Sequence, residues 1–232
     1  MYVIQKRVRD WLSARSQSFR KARMQAFLRE FQPTRTMRVL DIGGTDLNWR
    51  IVDQPARVVL LNIKIPEGGY DLGLFGPEYG DPARGTPPAS VEYVLGDGRS
   101  VPYADSEFDI CFSNSTIEHL FTLEEQRRFA AEVRRVGRGV WVQTPARSFP
   151  FELHWLSPIM HWLPKSWQRR LGRNFTLYGW LLRPTREDVA HLVNELRLLT
   201  LREMRELFPD CEIRRERFLG LTKSYIAMRR IS

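Results

Sequence analysis

RVLDIGGTDLNWR, residues 38–50, decides the reading of this 232-residue chain. An apolar run stops at Asp41 and turns at once on Gly43 and Gly44. That is the pattern of a first parallel strand whose carboxyl end bends closely around a ligand. The spaced glycines of the dinucleotide fingerprint are missing, and no lysine follows to grip a phosphate. An acid in this position suits a ligand with a positive amino group better than a pyrophosphate.

Outward from this stretch, strand-like and helix-like signals alternate. Short runs rich in Val, Ile, Leu and aromatics occur at 37–42, 58–63, 91–95, 108–113 and 139–144, as expected of buried parallel strands. Thr122 and Glu125 form a capping box for a helix over 123–137. Two further boxes, Thr185 with Asp188 and Thr200 with Glu203, predict helices near 186–199 and 201–208, the second stopped by Pro209. The runs 211–217 and 223–229 read as a closing hairpin. The pattern predicts an α/β sheet with helices on both faces. Only the Gly- and Pro-rich segment 64–90 breaks the rhythm, and it reads as a long loop.

Charge and composition bound the rest. The formal net charge is +9, compatible with nucleic acid, an anionic membrane surface or an acidic substrate, and selecting none. Residues 1–35 read as a basic amphipathic helix over 3–31, with eight Lys or Arg against two acids in the first thirty residues, ended by Pro33. Its favoured role is to pack an apolar face on the domain with its arginines in solvent. The other is a membrane-surface helix. Residues 36–232 form the main domain, with an inserted aromatic-rich helical lobe at about 146–184. That lobe holds Trp155, Trp162, Trp167 and Trp180, and six basic residues against one acid. Cys111 and Cys211 have no CxxC partner and read as reduced thiols. No apolar block of membrane-spanning or signal-peptide type is present. A cytoplasmic chain is expected, with peripheral contact to the inner membrane face through the basic helix as an option, and the aromatics of the lobe could stack on sugar or quinone rings, sit at a lipid interface or fill a core.

The polar residues at the strand ends define one crevice. Asp41 with Gly43 and Gly44 closes the first strand, and Asn62 ends the second within reach of a ribose diol. Asp97 and Gly98 follow the third, where a carboxylate can accept from an adenine amino group, and Ser113 and Asn114 end the fourth. GDGRSVPYADSEFDICFSNSTIEHL, residues 96–120, is the most specific piece. Over about 37–144, completed by 211–229, the sequence resembles the class I S-adenosylmethionine-dependent methyltransferases, in particular their type 11 domains. The resemblance implies a Rossmann-like sheet of seven strands, the last antiparallel, and S-adenosyl-L-methionine as cofactor. It implies that Asp41 and the glycines hold the methionyl part, Asn62 the ribose and Asp97 the adenine. In register with the family's glycine motif the chain carries Asp41, Gly43, Thr45 and Leu47, and Asn62 stands where an acid is usual.

The expected reaction is in-line methyl transfer, at oxygen, to a small-molecule, glycan or lipid-linked acceptor. A hydroxyl acceptor profits from a general base. By family analogy His119 lies on the crevice side, and His154 belongs to the lobe that would shape the acceptor pocket. No metal is expected, because Pro158 interrupts the helix that would align His154 with His161. Nucleic acid is disfavoured. The fourth strand ends in SNST and the fifth in QTP, without the motifs used on exocyclic base amines or cytosine C5. RNA methylation remains as an alternative, as does a methyltransferase fold retired to binding or scaffolding.

Overall fold

The computed structural model describes residues 18–50, 52, 56–64 and 91–231. Nearly all of the predicted 64–90 loop, and the first half of the predicted 3–31 helix, lie outside the described residues. The expected strands form as β1 (Arg38–Ile42), β2 (Arg57–Asn62), β3 (Val91–Leu95), β4 (Phe108–Asn114) and β5 (Gly137–Pro145). With β8 (Glu212–Phe218) and β9 (Leu221–Arg229) they make a seven-stranded sheet in the order β3-β2-β1-β4-β5-β9-β8. β1 pairs in parallel with both β2 and β4, and β2 in parallel with β3. The order therefore reverses beside β1, and its carboxyl end sits at the switch point where open α/β sheets bind ligands. β8 and β9 are joined by Leu219 and Gly220, both at positive φ (49° and 80°). A two-residue turn of this kind forces the two strands antiparallel.

The chain divides into two compact units. The first comprises 1–114, 129–142 and 228–232. In it helix α1, described over 18–31, buries Met24, Phe27 and Phe31. Phe27 meets Trp49, Phe112 and Trp141 edge to face, with centroids 5.9, 5.1 and 5.8 Å away, the geometry aromatic rings prefer. The described part of the basic helix thus turns its apolar stripe into the core. The short α2 (Leu47–Arg50) delivers Trp49.

The second unit comprises 115–128 and 143–227. A 3₁₀ turn over Ile117–His119 precedes α3 (Leu123–Val136), which opens on the Thr122–Glu125 capping box and of which only residues 123–128 belong to this unit. The predicted helical lobe begins instead with an antiparallel ladder of β6 (Phe151–Glu152) and β7 (Ser157–Pro158), followed by α4 (Lys165–Leu171) and α5 (Leu177–Leu182). Leu156 and Ile159 at positive φ (47° and 53°) break any helix there, and Pro158 lacks a backbone donor. Trp155, Met160, Val189 and Val193 form the local core. α6 (Arg186–Glu195) and α7 (Leu201–Leu207) both start on complete capping boxes. α6 stops short of the predicted residue 199. The Arg197 amide donates to the Glu118 carbonyl and Leu199 bridges to Ala146, so the chain leaves the helix to pair with them.

Candidate functional site

Every cofactor residue expected from the sequence lies in the first unit. The Asp41 side chain is fully buried, and its Oδ2 accepts from Trp49 Nε1 at 2.8 Å. Its Oδ1 is buried with no hydrogen-bond partner among the described residues. Burial pushes the carboxyl up to about 8, and the Trp49 hydrogen bond offsets only part of this. Gly43 takes a positive φ of 74°, and its amide donates to the Leu61 carbonyl. Any Cβ on Gly44 would overlap the Asp41 carboxyl group. The glycine turn and the acid therefore require one another.

The other strand ends complete this edge. Asn62 Nδ2 donates to the Gly44 carbonyl at 2.8 Å and so braces the turn from β2, which leaves its oxygen as an acceptor. Asp97 receives Nε and Nη2 of Arg99 at 2.7–3.0 Å together with the Arg99 amide. The Arg99 side chain is the main reason its carboxyl stays below the usual range. A Cβ at Gly98 would strike Ile42 and Phe129, so only glycine lets this loop close on the core. Ser113 does not open to the crevice as expected. It is fully buried, and its hydroxyl donates to the Ile42 carbonyl at 2.9 Å, tying β4 to β1. Asn114 accepts from Arg23 Nη1 at 2.5 Å. Arg23 went unnoticed in the sequence, although its place four residues before Phe27 sets it on the buried stripe of α1.

These residues fit S-adenosylmethionine. Asp41 Oδ1 is an orphaned acceptor in a neutralising environment, and a positively charged amino group is the partner that would satisfy it. Asn62 would meet the ribose and Asp97 the adenine.

His119 and His154 come together in the second unit, their rings edge to face with centroids 4.9 Å apart. Three carboxylates surround them. Glu118 is fully buried. Its Oε2 accepts from Thr144 Oγ1 at 2.9 Å, and its Oε1 has no partner among the described residues. Glu195 Oε1 stands 3.3 Å from His119 Nδ1, and its second oxygen 3.1 Å from His191 Nε2. Glu152, also buried, bonds His154 Nδ1 at 2.6 Å and accepts from the Trp155 amide. Burial opposes charge on His154, but the charge and hydrogen bond of Glu152 outweigh it and carry the imidazole up to about 9. His161 lies apart from this pair, with Nε2 3.1 Å from the Arg147 carbonyl. Glu118, Thr144 and Glu195 were not anticipated as site residues. The one signal for them was the position of Glu118 directly before His119.

A family profile described as a methyltransferase domain matches residues 80–139. No curated protein matches the sequence significantly. Among solved structures, a possible exported protein from Bordetella parapertussis is similar at 13% identity, over 93% of this chain and 68% of that one, with a TM-score of 0.54. The N-terminal domain of EvdMO1, solved with S-adenosylhomocysteine bound, is similar at 14% identity, over 92% and 81%, with a TM-score of 0.50. The chain spans 57% of the length of the [4+2]-cyclase SpnF, which is 15% identical over 83% of this chain with a TM-score of 0.49. At such identities the likenesses to the first two show the fold alone. Over residues 80–139 the chain thus resembles a methyltransferase domain, and around that stretch it forms a seven-stranded sheet in the order β3-β2-β1-β4-β5-β9-β8.

Proposed function

We propose that this chain methylates a hydroxyl oxygen of a lipid-linked glycan or a related small-molecule acceptor, by in-line transfer. The observation that carries the reading is the contact of His119 with His154 among Glu118, Glu152 and Glu195. When bound, S-adenosylmethionine supplies a methyl group already activated by its sulfonium. The protein then has to hold the acceptor oxygen in line and receive its proton. A cluster of imidazoles and carboxylates can do this, whereas a neutral amine acceptor would not require it.

The lobe supports a lipid-linked acceptor. Trp155 is buried in the local core, whereas Trp162, Trp167, Phe175 and Trp180 are exposed. Lys165, Arg169, Arg170 and Arg173 are interleaved with them in sequence. Exposed indoles beside cations suit an anionic lipid–water interface. No helix among the described residues is long and apolar enough to cross a membrane, so contact with lipid would be peripheral.

The test is transfer of labelled methyl from S-adenosylmethionine to a bacterial lipid extract, with total RNA in a parallel reaction. Label in the organic phase that survives mild alkali, as an ether does, is the expected result. Label confined to RNA would overturn the acceptor class, and label released from the lipid as volatile methanol by mild alkali would mark a methyl ester and exclude a hydroxyl oxygen as the target.

A further inference from the structure

We infer that Glu118, His119 and His154 form a binding site for a divalent transition ion of the zinc class. One ligand atom from each of the three lies within 4.8 Å of the others. Tetrahedral ligands at 2.0–2.1 Å from zinc stand about 3.3 Å apart, so modest side-chain rotations bring these atoms to bonding distance. Two imidazoles and one carboxylate are a common donor set of zinc sites that keep a coordination position open.

Two observations beyond proximity point to a cation. Glu118 is fully buried, yet its Oε1 has no partner among the described residues, an arrangement that costs stability unless something positive is meant to meet it. Thr144 Oγ1 holds the other oxygen and so fixes the carboxylate plane. His154 presents the second feature. Its Nδ1 is taken by the buried Glu152, which leaves Nε2 as the only ring atom able to coordinate. A carboxylate behind a histidine is the usual arrangement that orients a metal ligand and raises its basicity.

Binding of the ion rests on this cluster alone. Its use in turnover rests on the hydroxyl-methylation reading above, since an ion with an open position makes a coordinated hydroxyl more acidic.

The test uses tag-free, full-length protein freed of metal with chelator. Zinc is added in competition with a chromophoric chelator, without cofactor or acceptor. One tightly bound equivalent per chain is expected, and binding should survive Cys211→Ser and His191→Ala. His154→Ala and Glu118→Gln should weaken it at least 100-fold, and Glu152→Gln about 10–100-fold. In case a variant fails to fold, cobalt is added to the unaltered protein, where the intense visible bands of a low-coordinate histidine site are expected. Absence of stoichiometric zinc together with absence of those bands overturns the inference, as does zinc that persists in folded His154→Ala and Glu118→Gln. Because neither readout involves methyl transfer, failure here leaves the acceptor reading intact. Intact zinc binding without lipid methylation removes that reading alone.

Discussion

The indole of Trp49 donates to Asp41 Oδ2 at 2.8 Å while the other oxygen of the same buried carboxyl has no partner among the described residues. The carboxyl is therefore held by one side and offered by the other. Because burial keeps it largely neutral below about pH 8, an arriving ammonium group would both complete its hydrogen bonding and restore its charge.

Replacing Asp41 with Asn keeps the shape and the bond from Trp49 but removes the charge. S-adenosylmethionine affinity should fall by about 1.5–3 kcal/mol, the worth of a hydrogen bond to a charged group. Calorimetric titration of the two proteins measures this, and equal affinities would show that the amino group is held elsewhere.

Stability should depend on pH through the same residue. The folded carboxyl keeps its proton up to about pH 8, whereas the unfolded chain releases it near 3.8. The native state thus binds more protons between these values. The contribution is fully present below about pH 4 and is lost as pH rises to about 8, by at most ~1.4 kcal/mol per unit. Urea melts across this range should show the decline. Asp41→Asn should flatten it, and so should saturating S-adenosylmethionine.

Gly44→Ala places a methyl group on the Asp41 carboxyl. Overpacking of this kind costs about 1–3 kcal/mol, and the displaced acid should no longer bind cofactor. Wild-type stability and binding in this variant would mean that the carboxyl group lies elsewhere.

His119→Ala should lower kcat by about 10²–10⁴, the usual range for loss of assistance to an acceptor's deprotonation. Cofactor binding should be unchanged, because the residues expected to hold it belong to the other compact unit. Loss of cofactor affinity equal to the loss of kcat would argue against a role toward the acceptor.

Two tryptophans of the lobe should behave in opposite ways. Trp155, fully buried, should cost about 3–5 kcal/mol when cut to Ala. Trp167, 57% exposed, should change stability by less than about 0.5 kcal/mol but weaken sedimentation with anionic vesicles.

Much of this protein is legible along the chain. The capping boxes at Thr122, Thr185 and Thr200 each start the helix they predict, because a cap is a bond between residues three apart and needs nothing distant. The end of α6 was less legible, since it is decided by pairing of Leu199 with Ala146 and of Arg197 with Glu118. Ser113 shows the same limit within the site. Its position at the end of β4 could be read, but the pleat and the close Ile42 carbonyl decided that its hydroxyl points inward.

By itself, the sequence determined the strands, the glycine turn after Asp41 and the likeness to a methyltransferase domain, since each rests on short-range pattern and local backbone geometry. The tertiary structure alone decided what each charged group meets. It set Trp49 against Asp41 and Arg23 against Asn114. It also gathered Glu118, Thr144, Glu152, His154 and Glu195 from a 3₁₀ turn, a central strand, a small ladder and its turn, and a helix end. Meetings between side chains so far apart in sequence depend on how strands and helices cross, and local periodicity does not encode that.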